Sequence, residues 1–438
     1  MKVMKFGGTS VGKPERMFEI AKLITADDEP TIVVLSALSG TTNSLSEISS
    51  CLAKGERIGA KQYIDALQEH YQNFIIQLLK NEAAYNKAKS VLAEHFEFLN
   101  IILKISYSEA LNKDILAQGE LLSTKLFSIY LEEQNIEHVW LPALDFMTID
   151  MVDEPQIGSI KVKLTQLLNR NKEVKIFITQ GYICRNAKGE VDNLKRGGSD
   201  YSASLIAAAT NASVCEIWSD IDGMHNSDPR IVENTKPIDQ LSFVEAAELA
   251  YFGAKILHPA SIWPAQYFNI PVKLLNTLQP SAKGTIIKSE AGTMGVKAVA
   301  AKDYITAIKI KSSRMLLAYG FLRKIFEVFE KYRTSIDMVT TSEVAVSLTI
   351  DNDAYLKEII KELELFGTVE VDTNQTIISI VGNQITETKD VLRKIFDTIP
   401  ETPVRMVSYG GSKHNISLLI SREYKDQTMR QLNKGLLG

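Results

Sequence analysis

The first 290 residues alternate between strand-like and helix-like segments, and this restricts the fold more than any other feature. KVMKF (2–6) reads as a short strand. PERMFEIAKLI (14–24) follows, with Met17, Ile20, Ala21 and Ile24 at helical spacing. Pro14 suits the first turn of that helix, where its missing N–H costs nothing. TIVVLSAL (31–38) is an unbroken apolar run of the kind carried by buried parallel strands. Residues 56–138 read as mostly helical. Further strands are expected at 174–183, 213–220 and 270–276, and helices at 200–210 and 242–256. The pattern predicts an α/β domain over 1–290 with a largely parallel sheet.

A second pattern follows the small-residue segment SAKGTIIKSEAGTMG (281–295). LRKIF occurs at 322–326 and again at 392–396. Each copy is followed by a Met-Val strand (Met338-Val339, Met406-Val407) and then by an alternating strand. A repeat in the same order of elements predicts two βαββαβ modules, paired sheet to sheet. They fill a region over 300–438, at approximately 304–372 and 373–438, either consecutive or interleaved.

Composition mainly excludes. A chain of 438 residues, 45% hydrophobic and 23% charged, supports two or three domains with a sizeable core. A net charge of −4 without a basic block argues against nucleic acid. No apolar stretch reaches the ~18 residues that a membrane span needs. Cys51, Cys184 and Cys215 are scattered, and the N-terminus lacks a signal-peptide pattern, so a cytoplasmic location is expected. Six unpaired histidines give no metal site.

Five loops carry candidate chemistry. The opening MKVMKFGGTSVGKP nearly spells a P-loop, G-x-x-x-x-G-K-[S/T], but Pro14 stands where a hydroxyl should hold Mg²⁺. Lys5 is therefore preferred to Lys13. It ends a strand directly before Gly7-Gly8, where backbone can approach an anion closely. SALSGTTNS (36–44) is dense in hydroxyls at the C-terminal end of a strand, the edge where open α/β sheets bind ligands. In LKRGGSDYSASL (194–205), Arg196 beside two glycines suits a carboxylate clamp. Ser199 and Asp200 there either cap a helix or organise lysines or Mg²⁺ around phosphate. WSDIDGMHNSDPR (218–230) holds three aspartates, a glycine turn and Arg230. In FGAKILHP (252–259), Lys255 either complements a helix dipole or neutralises phosphate. Each loop has an ordinary alternative, such as a polar turn. Five of them at element ends in one α/β domain predict a phosphate-handling site.

KFGGTSV, SALSGTTN, AQGELLST (117–124), RGGSDYSA, DGMHNSDPR and FGAKILHP together resemble the signatures of the aspartate kinase family. The resemblance covers essentially the whole chain, with a tandem pair of ACT modules at the C-terminus. It implies the amino-acid-kinase fold, an αβα sandwich distinct from P-loop proteins, followed by two ferredoxin-like ACT modules. The implied reaction transfers the γ-phosphate of MgATP to the side-chain carboxylate of L-aspartate. This is the first step toward lysine, threonine, methionine and isoleucine. Mg²⁺ is expected to travel with ATP, without a protein cage.

The resemblance also implies roles. Lys5, Asp200 and Lys255 would be catalytic, with Asp200 organising the lysine. Lys5, Gly7, Gly8, Ser36, Ser219, Asp220, His225, Arg230, Lys255 and Ile256 would hold the nucleotide. Thr42, Glu120, Arg196 and Ser199 would hold aspartate, with Glu120 on its ammonium and Arg196 on a carboxylate. His225 stands where the family usually has Tyr, and Cys184 and Lys195 where Gly is common. An amino-acid effector, with lysine favoured, would meet Met315, Ala318, Gly320, Phe321, Leu322, Ser335, Ile336 and Asp337. Asp337 would pair with an amino group, and Ala318 replaces a usual Ser. The alternative is that these are only core and turn residues of a dimerising ACT domain. A homodimer through the ACT modules, or a tetramer, is expected. Competing functions are a related kinase acting on another amino acid and a non-catalytic amino-acid sensor. Intact Lys5, Arg196, Asp200 and Lys255 argue for catalysis.

Overall fold

Two units make up the chain in the computed structural model, which describes residues 1–195, 197–253, 257–290, 292–312 and 319–438. The first comprises Met1–Met224 and Ile256–Ser289, the second His225–Lys255 and Glu290–Gly438. Residues 225–255 therefore pack with the C-terminal part of the chain.

In the first unit, the unbroken apolar runs form the middle of a parallel sheet. Its strands are β1 (Lys2–Phe6), β2 (Thr31–Leu35), β3 (Val139–Leu141), β4 (Ile176–Gln180), β7 (Cys215–Ser219), β9 (Val272–Asn276) and β10 (Thr285–Lys288). Their order is β3-β4-β2-β1-β7-β9-β10, and only β10 runs antiparallel to its neighbour. Every residue of β2 and β4 is buried, which explains the absence of polar alternation. Helices Arg57–Leu78, Glu82–Ile102 and Glu109–Glu133 build a core on one face with Ile64, Tyr71, Phe96, Leu122 and Phe127. The strand expected over 174–183 stops early. Tyr182 takes a left-handed backbone (φ 67°), and the chain resumes as a hairpin of β5 (Ile183–Arg185) and β6 (Val191–Asn193).

In the second unit, the short strand β8 (Gln240–Ser242) leads into helix Phe243–Tyr251, closed by a Ser242/Glu245 capping box. Beyond it lies one six-stranded sheet of β11 (Gly295–Lys311), β12 (Val339–Thr341), β13 (Ala345–Ile350), β14 (Thr368–Asn383), β15 (Val404–Ser408) and β16 (Asn415–Ser421). The order is β12-β13-β11-β14-β16-β15, antiparallel throughout.

Here the sheet-to-sheet expectation is corrected. The two modules join edge to edge in one sheet, because β11 and β14 pair along their whole length. Gly295–Lys302 face Ile377–Asn383, and Ile305–Lys311 face Thr368–Gln375, so each long strand serves both modules. Each module has its own core. One gathers Phe321, Ile325, Val346 and Leu348, the other Ile395, Ile416, Leu418 and Met429. Among the described residues, no helix is long and apolar enough to cross a membrane.

Candidate active site

β2, β1 and β7 are adjacent and parallel, so the loops after Leu35, Phe6 and Ser219 leave the sheet side by side at its C-terminal edge. Lys5 lies on β1 between Val34 and Ile217. Its Nζ meets Asp200 Oδ1 at 2.6 Å, and both side chains are largely buried. Asp200 sits in the first turn of helix Gly198–Thr210, entered through Gly197 and Gly198 at φ 63° and 50°. Only glycine adopts that pair of conformations cheaply.

Glycine also lets the first loop approach. A Cβ on Gly7 would stand 3.4 Å from Lys5 Nζ, and one on Gly8 3.1 Å from the Ala37 carbonyl oxygen. The backbone thus lies directly against the ammonium and the second loop. Pro14 begins helix Pro14–Ile24, with Lys13 exposed at its N-cap.

The second loop completes the constellation. The Ser36 hydroxyl donates to Ser199 Oγ at 2.8 Å, and the Ala37 N–H donates to Glu120 Oε1 at 3.3 Å. One chain of neighbours therefore runs from Glu120 through Ala37, Ser36, Ser199 and Asp200 to Lys5. Glu120 is buried in helix Glu109–Glu133, and its Oε2 has no hydrogen-bond partner among the described residues. Burial pushes its pKa up to about 8, outweighing hydrogen bonds from the Ala37 backbone and from its own. A buried carboxylate left this way is a receptor for a cation or a proton.

Other expected residues fall outside this cluster. Thr42 is exposed in the first turn of helix Thr41–Ala53, whereas its neighbour Thr41 is buried with its hydroxyl 3.1 Å from Tyr71 OH. Ser219 ends β7 with its Oγ receiving the Ile221 N–H, and Asp220 is exposed beside it. His225 and Arg230 belong to the second unit. His225 Nδ1 lies 2.9 Å from Thr235 Oγ1, and Arg230 forks onto Asp228 at 3.0 and 2.7 Å. Arg196, Lys255, Ile256, Met315 and Ala318 lie outside the described residues. Of the remaining effector positions, Gly320 begins helix Phe321–Lys331 at φ 77°. Phe321 is buried, Leu322 and Ser335 are exposed, and Ile336 is half-buried. Asp337 is bonded within its own unit, as described below.

Sequence reasoning missed three contacts. Ser10 Oγ lies 2.8 Å from Thr277 Oγ1, Tyr182 turns the chain beside Gly198, and Lys302 pairs with Asp337. None had a local signal, since the partners in the first case are 267 residues apart. Among the described residues, no group of three or more His, Cys, Asp and Glu side chains is placed to hold a metal ion.

Residues 1–276 match the amino acid kinase family, and residues 378–436 match the ACT domain. The lysine-sensitive aspartokinase 3 of Escherichia coli (strain K12) is 34% identical over 447 residues, covering 99% of this chain and 98% of its own. The chain belongs to the aspartokinase family. Aspartokinases are ATP-dependent kinases with a carboxyl acceptor, and this chain has their fold, the amino-acid-kinase parallel sheet with C-terminal ACT modules. The solved complex of E. coli aspartokinase III with aspartate and ADP (R-state) superposes with a TM-score of 0.84 at 33% identity, with full coverage of both chains. Its complex with lysine and aspartate (T-state) gives 0.83 at the same identity and coverage.

Proposed function

We propose that this aspartokinase transfers the γ-phosphate of MgATP to the side-chain carboxylate of L-aspartate, giving 4-phospho-L-aspartate and ADP. The observation that carries the substrate reading is Glu120. Its buried, half-satisfied carboxylate calls for a free ammonium, which an amino acid supplies and an N-acylated one does not.

The nucleophile is a carboxylate, ionised at neutral pH, so no strong base is needed. The difficulty is bringing one anion against another. Lys5 offers a fixed positive charge, held by Asp200, at the edge where Gly7 and Gly8 present backbone. Such a group works by positioning and by stabilising charge on the transferring phosphoryl group. Ser36 extends that surface, and Ser199, Thr42 and Arg196 are assigned to aspartate. Ser219, Asp220, His225, Arg230, Lys255 and Ile256 are assigned to the nucleotide. Mg²⁺ arrives with the triphosphate and neutralises it.

Lysine is the proposed effector, acting through the first ACT module by favouring one conformation. The E. coli relative named as lysine-sensitive supports this. The proposed working form is a cytoplasmic homodimer joined through the ACT modules. The edge strand β12, with Val339 exposed, supports such a joint. MgATP-dependent formation of a hydroxamate from aspartate and hydroxylamine tests the activity. No product in effector-free protein, or faster turnover of glutamate, would sink the aspartate reading.

A further inference from the structure

Asp337 is the acid that the family resemblance assigns to an effector's amino group, and in this structure a residue of the same chain already holds it. Lys302 Nζ donates to Asp337 Oδ1 at 2.9 Å and lies 2.8 Å from Asp351 Oδ2. The Tyr251 hydroxyl donates to the same Asp337 oxygen at 2.5 Å. The Lys302 ammonium also sits 4.1 Å from the centre of the Tyr251 ring, a cation–π contact. All four residues belong to the second unit.

Two features mark this cluster as a receptor and not merely a structural pair. The Asp337 side chain is fully buried, yet its Oδ2 has no hydrogen-bond partner among the described residues. Two carboxylates also face a single ammonium, which leaves one negative charge uncompensated. Burial works against the charge on Lys302, but hydrogen bonds to Asp351 and Asp337 outweigh it and hold its pKa above the ordinary value. The lysine is thus a firmly charged occupant.

We propose that Lys302 is a built-in competitor of the effector, its side-chain ammonium occupying the acid that the amino group of a free amino acid such as L-lysine would take. The proposal rests on the effector reading above. An incoming ammonium either displaces Lys302 from Oδ1 or settles for Oδ2 beside an existing cation. Both options weaken its apparent affinity, because only the fraction of molecules with a freed acid is fully competent to bind. Lys302 thereby sets the concentration at which the module responds.

The test is calorimetric titration of L-lysine into the full chain and into Lys302→Met, beside an aspartate kinase assay of both. The expected result is a dissociation constant lower by about tenfold in the variant, with the half-inhibitory concentration falling alongside it. Lys302→Gln keeps a neutral donor on Asp337 and should shift affinity the same way. It serves if the methionine variant fails to fold. Unchanged affinity in the neutral variants overturns the proposal. If the unaltered chain is still inhibited by lysine, the effector reading survives that result. Failure of every protein to bind L-lysine overturns both. Gain of binding only in the variants supports the competitor while showing that the unaltered chain is insensitive.

Discussion

Glu120 holds a proton past neutrality because the burial of its carboxyl outweighs the backbone hydrogen bonds it receives. Its pKa lies near 8 against an ordinary 4.5, so folding favours the protonated form. The stability this contributes is complete below the ordinary value and is lost as pH rises through about 8. Substrate binding has the opposite sign, since an ammonium pairs with the ionised form. Aspartate affinity should therefore rise by up to about tenfold per pH unit between pH 6 and 8 and then level off. Calorimetry at pH 7 in buffers of different ionisation enthalpy should detect nearly one proton released per aspartate bound. Glu120→Gln should erase both effects and weaken aspartate by about 2–5 kcal/mol. A flat pH profile in the unaltered protein would contradict this assignment. Lys5 gives the sharper kinetic contrast. Lys5→Ala should lower kcat by about 10²-fold or more, as loss of a charge-stabilising group does. Lys13→Ala, at an exposed helix cap, should leave kcat within a factor of two or so. Pro14 made Lys5 the better candidate from sequence alone, since it removes the hydroxyl of a P-loop. The 2.6 Å contact with Asp200 had no such signal, because 195 positions separate the two residues and only the sheet brings them together.

Among the elements, the repeated LRKIF makes a quantitative claim. Ile325 and Ile395 are fully buried, each in its own core, whereas Phe326 and Phe396 in the same helices are about 40% exposed. Ile325→Ala and Ile395→Ala should each cost about 2–5 kcal/mol. The two Phe→Ala changes should cost less than half as much. Denaturant melts measure all four, and unequal costs for the two isoleucines would argue against equivalent modules. The strands of the parallel sheet were legible because burial on both faces leaves uniform apolar runs. Two boundaries were not. Tyr182 breaks a strand by a left-handed turn that periodicity does not record. The expected boundary between the modules, at 372/373, falls inside β14. Asn374 does take φ 57°, yet β14 runs through it because the equally long β11 lies alongside.

At the scale of the whole molecule, the least legible feature was the allegiance of residues 225–255. Their sequence continues the α/β pattern, and they were expected to belong with 1–290. In the structure, Val232 enters the core of the second ACT module, and Arg430 Nε donates to the Ile231 carbonyl. Glu245, fully buried, pairs with Lys297 at 2.8 Å, and Asn415 donates to Glu248 at 2.9 Å. Lys297→Met should therefore destabilise the protein by about 3–5 kcal/mol, the cost of stranding a buried charge. A chain truncated after Glu290 would lose all of these partners at once. It should be less soluble and melt earlier than the full chain, and a truncated protein as stable as the parent would refute this.

The same arrangement bears on inheritance. A recombination event near residue 290 would preserve every recognisable motif while separating Glu245 from Lys297, Glu248 from Asn415 and Ile231 from Arg430. A single crossover before residue 225 would keep these pairs together but would part β7 from β9 and Ser10 from Thr277, so hybrids of two related genes should survive more often when residues 225–255 and the C-terminal part descend together from one parent while 1–224 and 256–289 descend together from the other. The seam along which such proteins can exchange parts is then crossed three times by the chain, near residues 225, 256 and 290, and not once as their motifs suggest.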